Sequence, residues 1–286
     1  MKKALLLFLV SLTGFFHSWS QQPANSLLWK ISGNGLQQDS YLFGSFHILC
    51  KDDLKISDTL KSKIANAKVF YSEIKLDEEG MEAKMALKMR MQNTTLEALI
   101  GKSDYAMVNE RFQQITNLPL QMLDHFKPFM AISLLTINTL SCKEKSSPET
   151  EFAKIAKENK VPNLGLETID EQIAVIDKWS LDSQIHALTE SVLHFDSSKR
   201  ALKEMIAIYK QRNVDSLYQY MKEKGTSDDF ELDMLITRNH NWVPIIETAI
   251  KQQPAFFVVG AGHLGGPDGV LNLLRKRGYR LTPVNY

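Results

Sequence analysis

The stretch "AFFVVGAGHLGGPDGVLNLLRKRGY", which begins at Ala255, constrains this chain more than any other. It reads as an apolar strand, a glycine-rich turn and a helix with Pro267 near its start, stopping at Gly278. Gly260, Gly262 and Gly265 match G-x-G-x-x-G, the phosphate-cradling turn of dinucleotide folds. That turn needs a second strand carrying an acid about 20 residues further on. Only 26 residues (286 − 260) follow Gly260, and the remaining strand candidate, "YRLTPVNY", holds no Asp or Glu. The nucleotide reading fails on both counts. The glycines are instead expected to supply the positive φ angles of a sharp turn. That turn presents His263 at the carboxyl end of a strand, where open α/β sheets place their sites.

The same construction occurs near the other end of the chain. "YLFGSFH" is a strand closing on Gly44-Ser45-Phe46-His47, and "VVGAGH" closes on Gly260-Ala261-Gly262-His263. Both are G-x-x-H, 216 residues apart (263 − 47). A third strand end, "VFYSE", carries Glu73, which alternation places on one face with Val69 and Tyr71. Two imidazoles and a carboxylate at strand ends of one sheet make a divalent metal site with positions left for water and substrate. His47, His263 and Glu73 are therefore the candidate metal ligands. Gly44, Ser45 and Gly260 are the candidate substrate-binding positions around them.

Strand patterns cluster at the two ends: "SLLWKIS", its hairpin partner from Tyr41, "AKVFYSEIKL", "KVPNLGLE" ending at Glu167, "AFFVVGAGH" and "YRLTPV". Helical patterns dominate between them. "SPETEFAKIAKENK" starts with Pro148 after Ser147, and Thr168 and Glu171 stand at capping-box spacing. Breaks are expected near Gly225 and at Pro244. The fold class is α/β: a central mixed sheet built from the N- and C-terminal parts, with a large helical insertion over roughly 78–250. Residues 21–286 are expected to form a single domain.

"MKKALLLFLVSLTGFFHSWSQQ" pairs Lys2 and Lys3 with an apolar run and small residues at Ser18 and Ser20, the pattern of a cleaved signal peptide over residues 1–20. A secreted or periplasmic location follows, with no stable membrane anchor after cleavage. The 34 basic and 33 acidic residues become a net charge of −1 once Lys2 and Lys3 leave, which offers no electrostatic case for nucleic acid. In an oxidising compartment the two cysteines, Cys50 and Cys142, are expected to pair in a disulfide. A nucleophilic Cys50 beside His47 is disfavoured for the same reason.

The paired G-x-x-H sequences, the opening "LLWKISG…SYLFGSFH" and the closing "VVGAGHLGGPDGVLNLLRKRGY" resemble the TraB/GumN family, which includes the Tiki proteins. "LGLETIDEQ" and "TRNHNW" extend the resemblance into the helical middle. It implies an α/β fold related to erythromycin esterase-like and ChaN-like proteins. It also implies metal-dependent hydrolysis of a peptide or protein substrate, with manganese or cobalt and with zinc as a further option. The family's histidines fall on His47 and His263, its strand acid on Glu73, its "LET" acid on Glu167, and its Arg-Asn pair on Arg238 and Asn239. Glu73, Glu167 and Arg238 are thus the catalytic candidates, carboxylates to move a proton and a cation for developing negative charge. Asn239 is a further substrate-binding position. The other readings are a charge at a helix N-terminus for Glu167 and a salt bridge fixing the insertion to the sheet for Arg238. The ChaN-like relationship implies an alternative, a haem- or metal-binding protein without hydrolysis.

Overall fold

The computed structural model describes residues 25–224 and 232–286. The expected signal peptide and the break at Gly225 lie outside those residues. Six strands form the main sheet: β1 (Leu28–Ser32), β2 (Ser40–Ser45), β4 (Val69–Ser72), β6 (Asn163–Gly165), β7 (Ala255–Gly260) and β8 (Arg280–Pro283). A separate ribbon pairs β3 (Leu49–Cys50) with β5 (Lys145–Ser146). The main sheet runs β6-β4-β7-β2-β1-β8. Its first four members are parallel, and β1 is antiparallel to both β2 and β8.

This order explains the sequence pattern. β7 lies between β4 and β2, and all six residues of "AFFVVG" are buried. A strand covered on both faces must be apolar throughout, so it shows no alternation. Phe256 and Phe257 point to opposite faces: Phe256 stacks on Phe70, and Phe257 on Tyr71. The main core gathers around these residues with Leu42, Ile64, Phe152, Trp242 and Ile246. The helical insertion holds a second core of its own around Leu96, Val108, Phe112, Leu135 and Leu188.

The helix starts follow their capping chemistry. Ser147 caps the helix Pro148–Glu158 through the Thr150 amide, and Thr168 and Glu171 close a reciprocal capping box on Ile169–Lys178. Two expectations are corrected. The helix Arg238–Gln252 runs straight through Pro244. Burying Trp242, Val243, Ile246, Ala249 and Ile250 along one face outweighs the backbone bond that the proline removes. The last helix begins at Val270, because Gly266-Pro267-Asp268 is spent in the turn before it. Among the described residues, no helix is long and apolar enough to cross a membrane.

Candidate active site

β2, β4, β6 and β7 are parallel, so their carboxyl ends share one edge of the sheet. Continuing past those ends, the chain delivers His47, Glu73, Glu167 and His263 to that edge. The insertion supplies the rest: Arg238 and Asn239 from the first turn of one helix, and Glu149 from the first turn of another.

The glycines act here by what they lack. A Cβ on Gly260 would stand 3.2 Å from His47 Nε2 and 3.4 Å from Glu73 Oε1, so the missing side chain leaves room for both groups. A Cβ on Gly44 would strike Leu264 Cδ1 at 2.6 Å, and one on Gly265 the Val214 carbonyl at 2.4 Å. This corrects the expected role of the motif. Gly260 has φ −54°, and positive φ occurs in this turn at Gly266 (81°), so close approach is what Gly260, Gly262 and Gly265 provide.

Arg238 is the hub. Its Nε donates to both Glu167 oxygens (3.1 and 3.2 Å), and its Nη2 to Glu167 Oε1 (2.6 Å) and Glu73 Oε2 (2.7 Å). Its Nη1 donates to the Met234 carbonyl (3.0 Å) and to His263 Nε2 (3.2 Å). The guanidinium also lies 4.6 Å from the Trp242 ring centre. All five N–H donors are used, and a planar, permanently charged fork suits two buried carboxylates better than an ammonium would. Glu167 also accepts from Trp242 Nε1 (3.1 Å) and Gln172 Nε2 (3.1 Å).

Glu73 is buried, and its second oxygen accepts the Gly260 amide at 2.7 Å. Desolvation works against its charge, but His47, His263, Arg238 and that amide outweigh it and hold the carboxyl near a pKa of about 2. His263 is only 3% exposed and packs 4.5 Å from Trp242. Its protonation follows from Asn239, whose Nδ2 donates to the carbonyls of His263 (3.3 Å) and Asp268 (2.9 Å). That orientation turns Oδ1 toward His263 Nδ1 at 2.7 Å, so Nδ1 carries the proton and Nε2 keeps its lone pair. Burial, reinforced by the Arg238 and His47 charges and opposed only by Glu73, lowers the pKa to about 3 and keeps the ring neutral.

His47 differs. Its side chain is 67% exposed, while its Nδ1 lies 2.7 Å from Glu149 Oε1. Desolvation is the largest single influence and lowers its pKa. The hydrogen bond to Glu149 and the charges of Glu73 and Glu149 prevail and raise it to about 9. Both imidazoles have Nδ1 engaged by an acceptor, as metal-binding histidines do, but His263 Nε2 accepts from Arg238 and His47, charged below a pKa of about 9, carries a proton on Nε2. Among the described residues, no three His, Cys, Asp or Glu side chains form a ready-made metal cage. The Arg238 guanidinium stands between Glu73, Glu167 and His263.

The sequence-expected residues converge, but in two layers. His47, Glu73, Glu167, Arg238 and His263 form the cluster. Gly44, Ser45 and Asn239, expected to touch substrate, are buried behind it. Gly44 accepts from the Tyr209 hydroxyl (3.1 Å), Ser45 bonds Glu149 and the Val259 carbonyl, and Asn239 holds His263. Sequence reasoning missed Glu149 and Trp242. Glu149 looked like an ordinary first-turn acid, and the usable signal was its place beside a capping serine. Cys50 and Cys142 are joined in a disulfide. A cavity of about 300 Å³ opens beside Glu167, lined in part by Ile74, Met81, Ile169 and Ile245.

Comparison with known proteins now bears on this edge of the sheet. The family model described as the TraB/PrgY/gumN family matches residues 27–283. The chain belongs to that family. It is also 31% identical over 342 residues to a protein of Amphimedon queenslandica described as a metalloprotease TIKI homolog. That alignment covers 98% of this chain and 66% of the relative, so the chain spans slightly less than two thirds of the relative's length. No solved structure matches the chain. The family match runs from the residue before β1 to the end of β8, so it includes both G-x-x-H segments and the insertion between them.

Proposed function

We propose that this protein is a metal-dependent hydrolase of peptide bonds acting in a secreted or periplasmic compartment. The observation that carries the reading is the pair of imidazoles at neighbouring parallel strand ends. Each has Nδ1 held by an acceptor; His47 Nε2 lies with Glu73 over the gap left by Gly260, and His263 Nε2 meets Arg238. The likeness to a TIKI metalloprotease homolog supports it, and the disulfide suits an oxidising compartment.

The donor types suit a divalent ion: His47 Nε2, His263 Nε2 and a Glu73 carboxylate would hold it, with manganese or cobalt as the resemblance implies. Binding requires that Arg238 be displaced from His263 Nε2 and Glu73 Oε2 and that His47 give up its Nε2 proton. When bound, such an ion supplies an acidified water and a polarised carbonyl. The protein's own groups do the rest. Burial keeps His263 neutral, and Asn239 places its proton on Nδ1. Glu73 is ionised across the working range, which suits binding a cation, and a pKa near 2 makes it a weak proton acceptor. Arg238, fixed by Glu167 and Trp242, puts permanent positive charge where a carbonyl oxygen would gain negative charge. The cavity beside Glu167, lined by Ile74, Met81 and Ile245 and by Lys75, Glu78 and Glu171, offers room for a substrate side chain. A haem-binding reading has less support, because His263 is enclosed by Arg238, Asn239 and Trp242.

The test is a peptide-library digestion by the mature protein with added manganese or cobalt, beside His47→Ala, Glu73→Ala and His263→Ala. Cleavage that chelator abolishes and each substitution lowers at least 100-fold is expected. Cleavage unchanged in all three variants overturns the assignment.

A further inference from the structure

Glu149 is the buried carboxylate that engages His47 Nδ1. It is 6% exposed, and burying a carboxylate is costly unless donors surround it. Three do. Oε1 accepts from the Ser45 hydroxyl at 2.5 Å and lies 2.7 Å from His47 Nδ1, while Oε2 accepts from the Ser147 hydroxyl at 2.8 Å. The two serines leave the His47 Nδ1–H as the remaining donor, and they fix the carboxylate plane against which the imidazole lies. Ser45 belongs to the same G-x-x-H segment as His47, so β2 supplies both the ring and one anchor of its partner.

The backbone around this contact is clamped. Leu49 and Cys50 of β3 pair with Ser146 and Lys145 of β5, and the Lys51 amide donates to the Glu144 carbonyl at 3.0 Å. The disulfide between Cys50 and Cys142 ties the same two segments. His47 stands three residues before Cys50, and Glu149 three after Ser146. Ribbon and disulfide thus hold in register two segments far apart in sequence. An acid that served only the helix macrodipole would need no such arrangement.

We infer that Glu149 is a positioning residue, which orients the His47 ring so that Nε2 faces Glu73 and Gly260, with the β3–β5 ribbon and its disulfide fixing the pair. The inference rests on the hydrolase reading for its consequence, but its geometry is testable without it. Nuclear magnetic resonance of the metal-free protein reads the hydrogen-bonded His47 Nδ1 proton, assigned by its loss in His47→Ala. Cobalt(II) affinity, by competition with a chelator, reads the consequence. Glu149→Ala is expected to lose the Nδ1 signal and bind cobalt 10- to 100-fold more weakly. Glu149→Gln keeps an acceptor and should retain the signal and most of the affinity, and it serves if the alanine variant does not fold. An Nδ1 signal that persists in Glu149→Ala, or is lost in a folded Glu149→Gln, overturns the inference, as does unchanged cobalt affinity in Glu149→Ala. If wild-type protein binds no cobalt, the metal reading fails by itself, and the proton signal still decides the role of Glu149.

Discussion

At the scale of single residues, charge and proton placement govern the site. Arg238 is the cation shared by two buried carboxylates, so removing it leaves Glu73 and Glu167 without their common partner. Arg238→Met is expected to cost about 3–5 kcal/mol of stability, measured by urea denaturation; a loss below about 1 kcal/mol would mean the glutamates have other support. His263 gives a pH signature. Its pKa is depressed from 6.5 to about 3, so its stabilising effect is complete above 6.5 and is lost as pH falls toward 3. Glu73, depressed from 4.5 to about 2, adds a loss that begins lower, below about 4.5. His47 is raised to about 9, so its contribution is complete below 6.5 and disappears as pH rises through 9. Melting temperature against pH should therefore fall on both sides. His263→Gln should flatten the acid limb between pH 6.5 and 4.5, where wild type loses on the order of 2 kcal/mol. An unchanged acid limb would contradict a buried neutral imidazole.

Among the secondary-structure elements, strand ends and their turns decide what the residues can reach. Gly260 has an extended backbone that alanine adopts freely, so Gly260→Ala isolates the effect of one methyl group near His47 Nε2 and Glu73 Oε1. Stability within about 1 kcal/mol of wild type, with hydrolysis reduced 10-fold or more, is the expected result of paired denaturation and rate measurements. The strands themselves were readable from the sequence, because β7 is uniformly apolar and β2 ends in a motif that β7 repeats. The turn was less so. G-x-G-x-x-G looks the same whether glycine is needed for positive φ or for contact with Met221, Val214 or His47, and those contacts come from distant segments. Pro244 was misread for a related reason, since the burial that carries the helix through it is tertiary.

For the whole molecule, the parallel arrangement of β6, β4, β7 and β2 gathers groups from four stretches of sequence at one edge. The helical insertion then closes over it, bringing Glu149, Arg238 and Asn239. The histidines and acids at strand ends could be picked out from one sequence, as local motif and resemblance both mark them. Their division into the cluster and the residues that support it could not, because Ser45 and Asn239 are taken up by partners distant in sequence, Glu149 and His263. The insertion's own core around Phe112 and Leu188 is smaller than that of the sheet. Hydrogen exchange should find the amides of the Lys102–Thr116 helix opening at lower free energy than those of β7; equal protection would indicate one cooperative unit. The claim on which the rest depends is that His47, Glu73 and His263 jointly hold a divalent ion. Its most direct test is elemental analysis of the mature protein beside a folded His47→Ala/His263→Ala variant, both equilibrated with manganese and then desalted. Stoichiometric metal in the first and none in the second is the predicted result, and equal metal content in the two would contradict it.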